Sequence, residues 1–493
     1  MQTQVLTYSA TNQKDGTFRL DAEHYQKQFV KNQNKLLAFG AVPLLSLISR
    51  PVMTGHTPSM KIDSYYDGDI KFVKTDNLRE FSISGEFSHY LSELGNEVIN
   101  RSALKSGDLI ITIIGATHNI VGRAALVREE DLPANINQNI ALIRLNNEVS
   151  PEFLSAYLNS KIGRLALWYL SRQTEQVNLN CREVEKVLIP TVSDELEQKI
   201  QDIYKKAVEF EYKSRKIFKE SESLLLTELG LTNWQSKHHL NFIKNFSDTQ
   251  QAQRIDAEYY QPKYDEIISA IKSYSGGWDR LDNLVHIKKC IEVGSSEYLG
   301  EGVPFVRVSN ISRFEITEEK YISEELYKEL TPEENDIQFI KSQNHQPQQG
   351  EILFSKDGTP GIAYYLKELS PKMIPSGGIL RLKSKTDKVN NEYLTLVLNS
   401  VLTQEQINRD VGGSIILHWR PDQVKQTIVP ILPEHKQLEI QQKVIESLSL
   451  RKQSNQLLES AKKAVEMAIE QNEQVAIDWL KEQKKSIGVN NAN

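Results

Sequence analysis

Pro421-Asp422 followed by Glu434-x-Lys436 has the order of acids and lysine used by many metal-dependent nucleases. That chemistry places carboxylates on adjacent strands, converging on Mg²⁺ with the lysine beside them. Here Glu434 follows Pro433 where a helix is expected to open, and an acid at that point serves the helix dipole. The ten histidines are scattered, with His238-His239 the one adjacent pair, and read as solvated or linker residues. The chain has no Gly-rich strand–turn–helix cofactor loop, no Asn/Asp-Pro-Pro-Tyr stretch and no Gly-x-x-x-x-Gly-Lys-Ser/Thr phosphate loop. No catalytic residue, metal site or bound cofactor is expected in this chain.

What must be positioned is therefore architectural. "RLDAEHYQKQF" (Arg19 to Phe29) returns 235 residues later as "RIDAEYYQPKY" (Arg254 to Tyr264). "FVKTDNL" (72–78) answers "FVRVSNI" (305–311), "SGDLIIT" (106–112) answers "QGEILFS" (349–355), "EFLSAYLNS" (152–160) answers "EYLTLVLNS" (392–400) and "VLIP" (187–190) answers "TIVP" (427–430). The offsets stay between 233 and 243, so the chain is one half duplicated in tandem. The first-half counterpart of the nuclease-like stretch, "CREVEKVLIPTVSDELEQK", has no Pro-Asp step, which weakens the metal reading further.

Within each half, short β-branched and aromatic runs bounded by Gly, Asn, Asp and Pro fill about 44–192 and 280–432, with helices expected near 151–163 and 391–400. After Pro190 and Pro430 the texture becomes long helix. The first, over 194–228, sets Leu196, Ile200, Ile203, Ala207, Phe210, Ser214, Ile217, Ser221 and Leu224 at 4-3 spacing. The second, over 434–482, carries Val444, Ser447, Leu450, Ser454, Leu457, Ala461, Ala464, Ala468, Gln471 and Val475 on one stripe. Two such helices at matching places in the repeats are expected to pair antiparallel, close together where the side chains are small.

The bulk numbers fit a folded chain of several domains: 493 residues, 39% hydrophobic, 25% charged, net charge −6. No apolar run is long enough to span a bilayer, and the opening stretch shows no secretory signal. Two isolated cysteines, Cys181 and Cys290, suit a reducing compartment. A cytoplasmic prokaryotic location is expected. The negative charge requires any nucleic-acid binding to use locally placed cations or a partner.

"GHTPS" (55–59), "YYDGDIKFVKTDNL" (65–78), "LKSGDLIIT" (104–112), "NINQNIALIRL" (135–145) and "LIPTVSDELEQKI" (188–200) follow one another in the first half. "GSSEYLGEGVPFVRVSNI", "GEILFSKDGTPG" and "IVPILPEHKQLEI" follow in the second. In that order, and in duplicate, they resemble the DNA-specificity subunits of type I restriction–modification systems. The second half departs from the pattern, with Gly294-Ser-Ser-Glu297 lacking the Thr-Pro of the first and a polar stretch at Gln343–Gln349.

The resemblance implies a mixed α/β (α+β) fold with two pseudo-twofold-related target-recognition domains separated by a long antiparallel helical coiled-coil spacer. The expected division is an N-terminal segment 1–43, a first recognition domain 44–192, a central spacer helix 193–228 and a linker with the repeated phrase 229–279. A second recognition domain 280–432, a C-terminal spacer helix 433–483 and a disordered tail 484–493 complete it. It implies a non-catalytic subunit that reads a bipartite duplex site and docks two adenine-N6 methyltransferase subunits, with nuclease–translocase subunits in a full complex. S-adenosylmethionine, Mg²⁺ and ATP would then belong to the partners. A related methyltransferase–nuclease or phage-defence methylation system is the near alternative. A coiled-coil scaffold that holds proteins without touching DNA is the distant one.

For a DNA reader, base edges in the major groove are recognised by Arg, Asn and Gln, while phosphate contacts fix register. The polar loops offer Lys74, Arg79, Thr117, His118, Asn119, Arg123, Arg172, Gln173, Gln176 and Asn178 in the first half. The second offers Arg307, Lys356, Thr359, Arg409, Ser414, His418 and Arg420, with Gly412-Gly413 able to approach phosphate closely. The repeated phrase is expected to be a joint or a methyltransferase-docking surface through Arg19, Asp21, Glu23 and Tyr25, and Arg254, Asp256, Glu258 and Tyr260.

Overall fold

The computed structural model describes residues 19, 22–83, 87–173, 176–332, 344–368, 371–411 and 417–486. The chain forms two compact units: residues up to Glu211 together with those from Lys452 onward, and Tyr212–Arg451.

In the first unit a four-stranded antiparallel sheet has the order Met53–Thr54, Ile140–Ile143, Leu109–Thr112, Ala124–Leu126. A three-stranded sheet joins Tyr90–Leu91, Tyr66–Val73 and Ala134–Ile136, the last pair parallel with Phe72 opposite Asn135. The second unit repeats both. Its four strands run Val285–Lys289, Ile379–Ser384, Glu351–Ser355, Ala363–Tyr365. Its three are Tyr321–Ile322, Val303–Val306 and Ile374–Pro375, again with one parallel pair, Phe305 opposite Ile374. The duplication read from sequence is thus a duplication of sheet order.

The central strands are apolar on both faces, with Leu109, Ile110, Ile111, Ile352, Leu353 and Phe354 all at or below 1% exposure, because helices cover one face and the three-stranded sheet of the same unit packs on the other. The helix expected over 151–163 is two, Pro151–Asn159 and Lys161–Leu170. Ser160 stands between them in extended backbone, its hydroxyl accepting from Gly163 N–H. A Cβ on Gly163 would sit 1.9 Å from the Tyr157 carbonyl oxygen, so the first unit's break is too tight for another residue there, whereas the second has Thr403 at that point. The second unit breaks in the same place, at Ser400, between Asn391–Asn399 and Val401–Asp410.

The asparagine before each break holds the sheet. Asn159 accepts from Ala124 N–H (3.1 Å) and donates to Ala124 O (2.8 Å), pairing the outer strand as a neighbouring strand would. Asn399 treats Ala363 identically, at 3.1 and 2.8 Å. The first residue of each outer strand is thereby closed to further pairing. In the same helices Tyr157 donates to Leu188 O (2.5 Å) and Tyr393 to Pro430 O (2.8 Å), each ring fully buried. Removing either hydroxyl leaves a core carbonyl short of a donor. Tyr157→Phe and Tyr393→Phe are each expected to cost about 1–3 kcal/mol. A fall in thermal midpoint measures it, and an unchanged midpoint in both would refute it.

The long helices are Asp194–Glu228 and Glu434–Glu470. In the first unit Ser454 Oγ donates to Ala207 O (2.7 Å) and Leu196, Ile200 and Ile203 share a core with Leu457, Ala461 and Ala464. In the second, Ser214 and Ser447 each donate to the other's carbonyl oxygen at 2.8 Å, and Lys443 pairs with Glu220 at 2.8 Å. The partner numbers fall as the helix numbers rise, so the contact is antiparallel in each unit. Serines and alanines at these points bring backbone against backbone.

The seam departs from the expected one. Glu211, Phe218 and Leu225 are buried where Phe210, Ile217 and Leu224 were expected. Leu196, Ala207, Phe218 and Leu229 recur every 11 residues. A strict heptad falls behind a straight helix by about 20° per repeat, so the stripe leaves a 4-3 template after a few repeats, while an 11-residue interval, about 3.67 residues per turn, stays nearer the helix's own period. The second helix also ends early. Gln471 and Val475, placed on the stripe above, are exposed, and Asn472 accepts from Val475 N–H (3.0 Å) to start a new helix, Glu473–Ser486.

Candidate nucleic-acid interface

In the first unit Ile114–Gly115 pairs with Val177–Asn178, which pairs with Arg172–Gln173. This strip continues the chain beyond Leu109–Thr112 and puts the turn after Gly115 beside the 172–178 hairpin, so the two polar loops singled out by sequence are brought together. Thr117, Asn119, Arg172, Gln176 and Asn178 are exposed. The turn beneath them is braced. Arg123 Nε donates to Asn119 O (3.0 Å), and Arg164 Nη2 donates to the carbonyls of His118 (3.2 Å) and Asn119 (2.8 Å). The His118 ring stands edge-on to Trp168 at 5.2 Å. Arg172 reaches solvent with 65% of its side chain exposed while Glu183 holds its Nε at 3.1 Å. Sequence reasoning passed over Arg164, which sits in an apolar helix with no outward sign of its role; burial lowers its pKa.

In the second unit the corresponding pairing is Asp357–Gly358 with Leu417–His418. It joins the Lys356–Thr359 loop to His418 and Arg420. Asp357 is the organiser: it contacts Lys356 Nζ, and His418 Nδ1 lies 2.9 Å from its other oxygen. Trp419, 1% exposed, anchors the strand through its backbone N–H to Lys356 O (2.8 Å). Arg420 is 69% exposed, 3.7 Å from Asp422. Asp357 was missed, although its place between Lys356 and the tight turn in "SKDGTPG" was a usable signal.

Other expected residues have different surroundings. Lys74 Nζ contacts His89 Nδ1 (2.7 Å) and Ser88 (3.1 Å), and burial lowers its pKa. Arg79 is exposed at a turn. Arg307 pairs with Glu319 at 2.9 Å. Arg409 stacks on Tyr259 (4.6 Å) near Asp265 (3.9 Å), away from the 356–359 loop pairing. Ser414, Gly412-Gly413 and Asp21 lie outside the described residues, as do the side chains of Gln173 and Glu23. The nuclease-like acids do not lie on strands: Asp422 is in the helix Pro421–Gln426, Glu434 opens a long helix, and Lys436 pairs with Glu228 at 2.8 Å.

The repeated phrase caps a helix in each unit. Arg19 donates to Leu170 O (3.0 Å) and Ser171 O (2.9 Å), at the end of Lys161–Leu170, and Tyr25 OH holds Arg19 O at 2.9 Å. Arg254 donates to Arg409 O (3.4 Å) and Asp410 O (3.2 Å), with Tyr260 OH on Arg254 O at 2.7 Å. A cation at carbonyls that have no helical partner is favourable twice over, by hydrogen bond and by dipole. Between them one stacking pair is kept with its chemistry changed: His24 on Tyr169 (4.1 Å) in the first unit, Tyr259 beside Arg409 in the second. Asp256 turns back to Arg254 (2.6 Å), and Glu258 meets Tyr264, Lys263 and His238.

No family model and no curated protein matches the chain. Among solved structures it is similar to the S subunit of a type I restriction–modification system from M. genitalium, at 13% identity over 89% of this chain and 95% of that one, with a TM-score of 0.32. It is also similar to a chain from a structure on complex assembly and conformational transition of the type I system (17%, 89% and 96%, TM-score 0.27). The HsdS subunit from Thermoanaerobacter tengcongensis gives 17%, 89% and 95%, with a TM-score of 0.25. No helix among the described residues is long and apolar enough to cross a membrane.

Proposed function

We propose that this chain is a non-catalytic DNA-specificity subunit of a type I restriction–modification system or a close relative of one. In this reading each unit carries a target-recognition domain, the paired long helices space the two, and together they read a bipartite duplex site. Two adenine-N6 methyltransferase subunits dock on the chain, nuclease–translocase subunits join in a full complex, and S-adenosylmethionine, Mg²⁺ and ATP are bound by those partners in the cytoplasm. The observation that carries it is the repetition of one sheet order, with a short two- or three-stranded strip in each unit presenting arginine, amide or histidine side chains to solvent. The motif order in both halves adds support. The outward carboxylates of Asp256 and Glu258, about half exposed, suit the repeated phrase to partner docking as well as to helix capping.

The test is to map modified adenines in DNA from cells carrying the chain and its methyltransferase. A split motif is expected, with tight DNA binding only when the methyltransferase is present. Arg172→Ala with Asn178→Ala should relax one half of the motif, and Lys356→Ala with Arg420→Ala the other, each lost base contact costing about 1–3 kcal/mol of discrimination. A continuous motif, or variants that alter both halves alike, would contradict the reading. No sequence selection with the partner bound would favour a protein scaffold, and Mg²⁺-dependent cleavage by the chain alone would favour a nuclease.

A further inference from the structure

Each unit fastens its sheets to the long helices through the same short turn, just beyond the aromatic-led strand. In the first, Arg79 N–H closes the turn on Ser82 O (3.0 Å), and the Phe81 ring lies edge-on to Tyr204 (5.9 Å) with Lys462 Nζ 5.9 Å from its centre. Glu80 pairs with Lys462 at 2.9 Å. In the second, Ser312 N–H closes on Glu315 O (2.9 Å), Phe314 meets Phe218 (5.2 Å), and Arg451 lies over the Phe314 ring (4.3 Å). Arg313 pairs with Glu222 at 3.3 Å.

These positions correspond. The shift of 240 residues that carries the Gln201–Glu152 contact onto Gln441–Glu392 also carries Glu222 onto Lys462. The shift of 233 residues between "FVKTDNL" and "FVRVSNI" carries Glu80 onto Arg313. One ion pair therefore recurs in both units with both signs reversed. Changing one member alone would set like charges against each other, so the two members are matched within each unit. In each pair the helix member is the more sheltered, Lys462 at 16% and Glu222 at 30% exposure, so a mismatch falls on a partly desolvated charge. Burial opposes the charge on Lys462, yet Glu80 and Glu459 hold its pKa above the ordinary lysine value, while burial raises the Glu222 carboxyl against the pull of Arg313.

We propose that the reversed pair is an address: it admits each recognition module only to its own place on the helices and fixes its angle there, and so sets the one separation of half-sites the protein accepts. The second clause rests on the DNA-specificity reading. A module on the wrong helix position would bring Glu80 to Glu222, or Arg313 to Lys462.

The test uses the full chain with its methyltransferase and duplexes whose half-sites are moved apart or together by one or two base pairs. Lys462→Glu is expected to raise methylation at neighbouring gaps at least tenfold relative to the native gap, and to speed hydrogen exchange at the Arg79 and Phe81 amides at least tenfold. Glu80→Gln should do the same more weakly without endangering folding. Glu80→Arg with Lys462→Glu, which copies the polarity of the second unit, should restore both readouts to within about twofold of the native protein. Unchanged gap selectivity in Lys462→Glu and Glu80→Gln would overturn the proposal, whether or not the turn loosens. So would a double variant that fails to recover. If the native protein selects no split motif, the DNA-specificity reading falls and takes the gap clause with it; the exchange measurement still decides whether the pair holds the turn.

Discussion

Replacing Arg381 by methionine is expected to destabilise the second unit by about 3–5 kcal/mol, because it strands a carboxylate in the protein interior. Arg381 and Glu351 are 2% and 1% exposed. They meet through two hydrogen bonds, Nε to Oε2 at 2.7 Å and Nη2 to Oε1 at 3.1 Å, across adjacent antiparallel strands. The third guanidinium nitrogen donates to Asn344 O at 2.8 Å, and Gln348 N–H caps the carboxylate at 3.0 Å. Loss of the cation leaves the buried Glu351 carboxylate with only the Gln348 N–H to compensate it. Exchange protection of the amides in Glu351–Ser355 and Ile379–Ser384 should fall by about 10²-fold to 4 × 10³-fold, on the scale of tenfold per 1.4 kcal/mol. Arg381→Met with Glu351→Met should recover most of it, since an apolar pair of similar volume replaces the charged one at little net cost. The first-unit counterpart, Asp108 with Arg144, leaves the arginine 22% exposed, and Arg144→Met should cost less. A loss under about 1 kcal/mol in Arg381→Met would show that water reaches Glu351.

The second large effect is at Phe81. Its ring is 3% exposed, and Phe81→Ala should cost about 3–5 kcal/mol from lost burial and the cavity left beside Tyr204. The backbone adds a sharper test. Phe81 has φ of +65°, a conformation bulky residues rarely adopt. It is kept there by its N–H on Ala124 O (2.9 Å) and by its carbonyl, which accepts from Arg128 (3.3 Å) and the Tyr204 hydroxyl (3.4 Å). Arg128 is itself locked to Glu211 at 2.8 Å, and although burial opposes its charge, Glu211 raises its pKa. Glycine relieves the strained backbone that alanine retains, so Phe81→Gly should be no less stable than Phe81→Ala. At an ordinary site glycine is the worse of the two by about 0.5–1 kcal/mol. A thermal-denaturation ranking of the three proteins that follows the ordinary order would contradict this account.

The duplication was legible because strands and helices repeat whole phrases, and "FVKTDNL" and "EFLSAYLNS" each occupy matching elements. The long helices were legible from their stripes, but their registers were not: a 4-3 template gives the first residues correctly and slips by Phe218. The exposed polar strip was half legible. Its strands, such as Ile114–Gly115 and Leu417–His418, are two residues long, too short for any periodic signal, and what brought them together was pairing between segments some 60 residues apart. Residues chosen by type alone divided accordingly. Arg172, Gln176 and Asn178 gathered on one edge, whereas Arg409 was drawn into the capping cluster around Tyr259, since an arginine in a loop looks the same in sequence whichever neighbour it finds.

The first unit is closed by chain from both ends, and this has a consequence during synthesis. Leu196, Ile200, Ile203 and Ala207 are covered by Leu457, Ala461 and Ala464, which leave the ribosome some 250 residues later. At about 5–20 residues per second that is about 12–50 s in which a bare apolar stripe trails from the nascent chain while the uninterrupted second unit can already close. The order of completion is the reverse of the order of translation, and the interval is one in which a holdase, or a neighbouring nascent chain, competes for the same stripe.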